Sequence, residues 1–122
     1  MRAARFAILL ALGVLGAGCE NLTGPGEGVY RGHYTRAFEA NGFVACGSDE
    51  GWWVEFASTE VSNDLNARVP GPTGLEHAVT AYVVWRGTPS RKGSYGHLGA
   101  SEREFRVEEV IEARLAGSDD CS

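Results

Sequence analysis

Hydrophobic and polar positions alternate with period two through much of this chain. In "GVYRGHYTRAFEANGF", Tyr30, Tyr34 and Phe38 fall on one side with Gly32 and Arg36 between them, and Val29, Arg31, His33, Thr35 and Ala37 fall on the other. That alternation predicts a half-buried strand. Asn41-Gly42 predicts the turn that follows it. In "WWVEF", Trp52, Val54 and Phe56 share one face, which makes Trp52 the core candidate. Trp53 and Glu55 share the other. The longest β-rich run, "HAVTAYVVWRG", has the faces Val79/Ala81/Val83/Trp85 and Ala78/Thr80/Tyr82/Val84 and ends at Gly87.

Two stretches depart from this pattern. "STEVSNDLNA" predicts a short helix capped by Ser58, with Val61 and Leu65 one turn apart. "EREFRVEEVIEAR" alternates at Phe105 and Val107, then loses the period at Glu108-Glu109. The spacing of Val107, Val110, Ile111 and Arg114 also fits a helix. A terminal strand carrying a bulge is the reading adopted, because a bulge shifts the alternation by one residue. Between Ala67 and Glu76, the Pro and Gly content of "ARVPGPTGLE" marks a loop. Several short strands with little helix predict an all-β fold, a small five-stranded OB-like barrel with at most one short helix. Closure suits a domain this small because it removes exposed strand edges.

The N-terminus follows a different logic. Arg2 and Arg5 precede an apolar run from Phe6 to Leu15, followed by Gly16, Ala17, Gly18 and Cys19. This is the order of a bacterial export signal over residues 1–18. The apolar run falls short of the roughly 20 residues that span a bilayer. "LGAGC" resembles the lipobox at which bacterial prolipoproteins are lipidated on cysteine and cut just before it, although Gly16 stands where that family usually has Leu. Lipidation of Cys19 is the expectation, with ordinary signal-peptidase cleavage as the alternative. Residues 19–27, "CENLTGPGE", then read as a flexible tether to a single domain at 28–122.

Loss of the signal removes Arg2 and Arg5, so nine basic residues face sixteen acidic ones, a formal net charge of −7. This argues against nucleic acid as a partner, because affinity there comes largely from neutralising phosphates. It also argues against an electrostatic grip on anionic lipid. The expected partners are the membrane, through a lipid on Cys19, and an unidentified ligand or envelope protein.

With Cys19 lipidated, Cys46 and Cys121 are the remaining thiols in an oxidising compartment, and a disulfide between them is expected. Two free thiols are the alternative. The chain has no C-x-x-C and no metal-binding cysteine pairs. "FVACGSDEGWWVEF" and "GSYGHLG" together resemble a set of small uncharacterised bacterial lipoproteins and secreted proteins with a C-G-x-x-E-x-W-W-like segment and a G-x-Y-G-H-L-G loop. The resemblance implies a compact β-domain and a paired Cys46. It brings no activity and no catalytic residue.

Four residues are candidates for ligand binding. Trp53 beside Glu55 makes a platform for sugars or cations if it is exposed. Tyr95 and His97 lie in a Gly-rich loop, and loops often carry function. The plainer readings are that Trp53 packs under a neighbouring segment and that Tyr95 and Leu98 anchor a tight turn. His33, His77 and His97, with Glu55 or Glu39 as a further ligand, raise a metal-binding or envelope-stress role as the alternative function, but the histidine spacing follows no ligand pattern, so neither a metal nor a cofactor is expected. The chain has no G-x-S-x-G, and Asp49-Glu50 and Asp119-Asp120 read as solvated charge. A non-catalytic module is therefore expected.

Overall fold

The structure, a computed structural model, describes residues 25–71 and 77–122. The expected export signal, Cys19 and most of the expected tether lie outside the described residues. Five strands close into a barrel in the order β1-β2-β3-β5-β4: β1 Gly28–Ala37, β2 Ala40–Ala45, β3 Trp52–Phe56, β4 Val79–Pro89 and β5 Arg103–Leu115. Neighbouring strands are antiparallel except β3 and β5, which run parallel. One helix, α1 (Thr59–Arg68), joins β3 to β4. This is the small OB-like barrel that the strand pattern predicts.

The inward faces are the ones the alternation selects. Phe43, Val54, Val83, Trp85, Phe105 and Val107 are fully buried, and Tyr34, Trp52 and Ala81 nearly so. Burying each large apolar side chain contributes roughly 1.5–3 kcal/mol. Phe43 stacks on Phe105 with ring centroids 5.5 Å apart, and Trp52 tilts against Phe105 at 5.3 Å. Helix α1 begins where Ser58 Oγ accepts the Val61 N–H at 3.3 Å. It feeds Leu65 into the core, as does Val69 at its C-terminal end.

The first hairpin turns earlier than Asn41-Gly42 would place it. Ala37 pairs with Ala40, so the two-residue loop is Phe38-Glu39, and Asn41-Gly42 lies within β2 opposite Arg36 and Thr35. Asn41 is spent in the barrel wall: its amide donates to Val54 O at 2.6 Å, and its Oδ1 accepts from the Tyr34 hydroxyl. Phe38, expected on the face of Tyr30 and Tyr34, is instead at the loop tip and 59% exposed. The run ending at Gly87 also extends further, to Pro89. A Cβ at Gly87 would sit 2.3 Å from Arg106 O and 2.8 Å from the Phe105 ring. Glycine there lets β5 cross tightly over β4.

In β5 the register against β4 shifts twice. Glu112 pairs with Val84 and Val110 with Trp85, leaving Ile111 unpaired; Glu109 pairs with Arg86 and Val107 with Gly87, leaving Glu108 unpaired. The shift at Glu108 keeps both Val107 and Val110 inward although they are three residues apart, and the extra residue of the other, Ile111, faces outward. The bulged strand is therefore observed, with two irregularities.

Cys46 and Cys121 form a disulfide, with Cα atoms 5.5 Å apart and a sequence separation of 75. Beside it, the Asp120 side chain is only 2% exposed. Its carboxylate accepts from Gly117 N–H at 2.6 Å, Arg114 Nη1 at 2.6 Å and His33 Nε2 at 2.8 Å. The Gly117 amide, with His33 and Arg114, holds the carboxyl at a pKa lowered to about 2. Solvated charge is thus the wrong reading for Asp120. The folded tail carries Asp120 to donors on β1, β5 and the tail's own Gly117, and a buried carboxylate is tolerated when so paired.

Candidate functional site

The outer face of β2 and β3 carries a groove of about 270 Å³. It lies between the two-residue β1–β2 loop and the β4–β5 connection, residues 90–102. Strand alternation builds its floor. Because Trp52, Val54 and Phe56 point inward, Trp53 and Glu55 point outward, and Trp53 pairs in register with Gly42, which in turn pairs with Thr35. Trp53, Gly42 and Thr35 line the groove, with Glu39, His97 and Ser101 at its walls.

The indole of Trp53 is fixed by two contacts. Its Nε1 donates to Glu55 Oε1 at 3.2 Å. The backbone of Gly96 lies against the ring: a Cβ there would fall 2.3 Å from the indole Cε3, and φ is 71°. Glycine allows both the close approach and the left-handed backbone. Across the groove mouth, His97 Nε2 lies 3.1 Å from Glu39 Oε2, an ion pair whenever the imidazole is protonated. That contact ties the two flanking loops together.

Backbone strain gathers at the same place. Among the described residues, Glu39 (φ 59°) and Leu98 (φ 57°) are the non-glycine residues with positive φ, one in each flanking loop. Each such residue costs roughly 1–2 kcal/mol. Leu98 gains no packing in return, being 89% exposed, and Phe38 beside Glu39 is 59% exposed. Strain of this kind tends to cluster at ligand clamps and active sites.

The groove unites two of the four sequence candidates, Trp53 and His97. Glu55 acts on Trp53 through the indole N–H and does not line the groove. Tyr95 lies elsewhere: its hydroxyl donates to Arg91 O at 3.1 Å and its backbone pairs with Ser101, so it braces the base of the loop. Leu98 anchors nothing, contrary to the tight-turn reading. The sequence places neither Glu39 nor Gly42 in a groove: Glu39 enters only as a possible metal ligand beside the histidines, and Gly42 reads as part of a turn with Asn41.

The histidines take separate roles. His33 belongs to the Asp120 cluster, His97 to the groove, and His77 is exposed ahead of β4. Among the described residues, no group of three or more His, Cys, Asp or Glu side chains converges on a common point. Away from the groove, Glu50 accepts from Trp52 Nε1 at 3.0 Å and from Arg103 Nε at 2.9 Å, which lowers its pKa to about 2. Glu50 is therefore a brace between β3 and β5 and not a solvated charge, whereas Asp49 is exposed. In chemical terms the groove offers a flat aromatic surface, a charge-matched pair and the hydroxyls of Thr35 and Ser101. No protein-family model, curated protein or solved structure matches this chain.

Proposed function

We propose that this chain is an exported, lipid-anchored binding module without catalytic activity, and that its ligand sits in the Trp53 groove. Export and anchoring rest on the order of residues 1–19: two arginines, an apolar run, small residues and Cys19. The observation that carries the groove is the presentation of Trp53. Its indole is turned out of the core and held by Glu55 and Gly96, between two loops that each keep a strained residue. Such preorganisation lowers the ordering cost of binding. OB barrels often bind on the same strand face and adjoining loops, an analogy of fold that adds to the side-chain argument without replacing it.

Two measurements test this reading. Intact mass of the processed protein should show diacylglycerol on Cys19, and Cys19→Ser should free the protein from membranes; an unlipidated mature form starting elsewhere would sink the anchor. For the groove, the three tryptophans give three indole N–H resonances to follow by NMR. Titration with fractionated soluble components of a bacterial envelope should move the Trp53 resonance. Binding that shifts other resonances and leaves Trp53 still would place the ligand elsewhere.

A further inference from the structure

The chemistry of the groove narrows its ligand, given the reading above that the groove is the binding site. Among the described residues no lysine or arginine lines it, and its one carboxylate, Glu39, is matched by His97. An anionic ligand would find no free cation there, and it would have to approach a mature chain of formal net charge −7. A cationic ligand would have to displace His97 from Glu39. It would also lack an aromatic cage, because among the described residues Trp53 is the one indole or phenyl ring in the lining. The remaining class is an uncharged, flat-sided group with hydroxyls.

The floor has the matching shape. Thr35, Gly42 and Trp53 stand in register on three adjacent strands, so the flanking two are about 9–10 Å apart at the backbone. Gly42 leaves the space between them open. The fold does not require glycine at this position. Its φ is not in the left-handed region, and an added Cβ would meet only Trp52 O, at 4.0 Å. A volume of about 270 Å³ is below the usual 300–1,000 Å³ of sites for drug-sized ligands, and suits a single ring better than an extended cofactor.

We propose that the groove binds one uncharged sugar ring of an oligosaccharide, stacked on Trp53 above Gly42, with its hydroxyls meeting Glu39, His97 and Ser101. Gly42 is then the residue that sets the size of the ring accepted.

The test uses the mature chain carrying Cys19→Ser, with its disulfide intact, and follows the Trp53 indole N–H. The probes are neutral tetrasaccharides of glucose and of N-acetylglucosamine, tetramethylammonium chloride and a short oligothymidylate. A neutral saccharide should shift Trp53 saturably, with affinity nearly unchanged between about 0.05 and 0.5 M salt. Trp53→Ala should weaken it roughly tenfold or more. Gly42→Val should do the same while keeping or raising Tm, since valine favours strands and has room. Comparison of the soluble tetrasaccharide with an insoluble polymer of the same sugar separates a free oligosaccharide from a structural glycan as the source. If only tetramethylammonium or the oligonucleotide shifts Trp53, in a Gly42-dependent way, the sugar is wrong and the groove stands. A saccharide that binds with Trp53 unmoved overturns the groove itself. If no probe shifts Trp53 in folded protein, the sugar proposal is overturned.

Discussion

Two histidine–carboxylate pairs occupy this small barrel, and their surroundings set them apart. In the first, His33 Nε2 meets Asp120 Oδ2 at 2.8 Å, and the carboxylate is buried, shared with Arg114 and Gly117, and next in sequence to the Cys46–Cys121 bridge. In the second, His97 meets Glu39 at 3.1 Å with both side chains about half exposed, at 40% and 47%. The first pair fastens a chain terminus to the barrel wall. The second spans two short loops whose backbones are strained and whose apolar tips face water. The residue types are nearly the same, but burial and the number of partners make one a lock and the other a latch. Stability should therefore respond to changes at the first pair and ligand binding to changes at the second.

The largest expected effect comes from removing the covalent part of the lock. Cys46→Ala with Cys121→Ala opens a loop with a sequence separation of 75 residues, which should cost about 4 kcal/mol in urea unfolding. Saccharide binding at Trp53, measured below the new transition, should stay within about twofold. A parallel loss of affinity would mean that lock and latch are coupled.

Acid should act on the same region next. The Asp120 pKa is lowered from 3.8 to about 2 in the folded chain, and that of Glu50 from 4.5 to about 2. Both folded values are depressed, so the stability they contribute is complete above the unfolded values and is lost as pH falls towards about 2. Tm should hold steady down to about pH 5 and then drop steeply. Asp120→Asn should be less stable at neutral pH and should show a shallower drop in acid. An unchanged acid profile in that variant would show that the lock is not electrostatic.

The lock was harder to read from sequence than the barrel around it. Strand faces are local, and Trp52, Val54, Val83 and Trp85 declare themselves by alternation with their immediate neighbours. The Ser58 cap is local too. Asp120 takes its character from His33, 87 residues away, and from the backbone of a tail that the disulfide ties to the barrel. Nothing beside Asp119-Asp120 announces that. The hairpin failed for a related reason. Asn41-Gly42 has the chemistry of a turn, but Tyr34 and Val54 claim the Asn41 side chain, and Phe38-Glu39 turns without any residue that favours turning. The latch was half legible: alternation turned Trp53 outward and the glycines flagged the His97 loop. Its partner Glu39 is supplied by topology alone.

On the latch side, the strained loop gives an effect of opposite sign. Leu98 holds a left-handed backbone with its side chain in water, so Leu98→Gly removes strain and forfeits no packing. Set against the added freedom of glycine in the unfolded chain, the net should be a gain of about 1 kcal/mol or less in urea unfolding. A clear loss of stability would mean that Leu98 is packed in solution.

The smallest effect on stability should come from His97→Ala, and it is the sharpest test of the contrast. An exposed ion pair contributes little, because solvent screens it and two side chains must be ordered to form it. Global stability should therefore change by about 0.5 kcal/mol or less. The loop itself should loosen. Its short turn is held by Gly99 N–H to Gly96 O at 3.0 Å and Ala100 N–H to His97 O at 3.2 Å, and His97 also tethers it to Glu39. Hydrogen exchange at Gly99 and Ala100 should accelerate while that of the buried strand residues Val54 and Val83 does not. His33→Ala should do the reverse, lowering global stability because it leaves the buried Asp120 short of a donor, with exchange in the groove loops unaltered relative to the core. If His97→Ala proves as costly as His33→Ala, the second pair is another lock, and the contrast between the two pairs is lost.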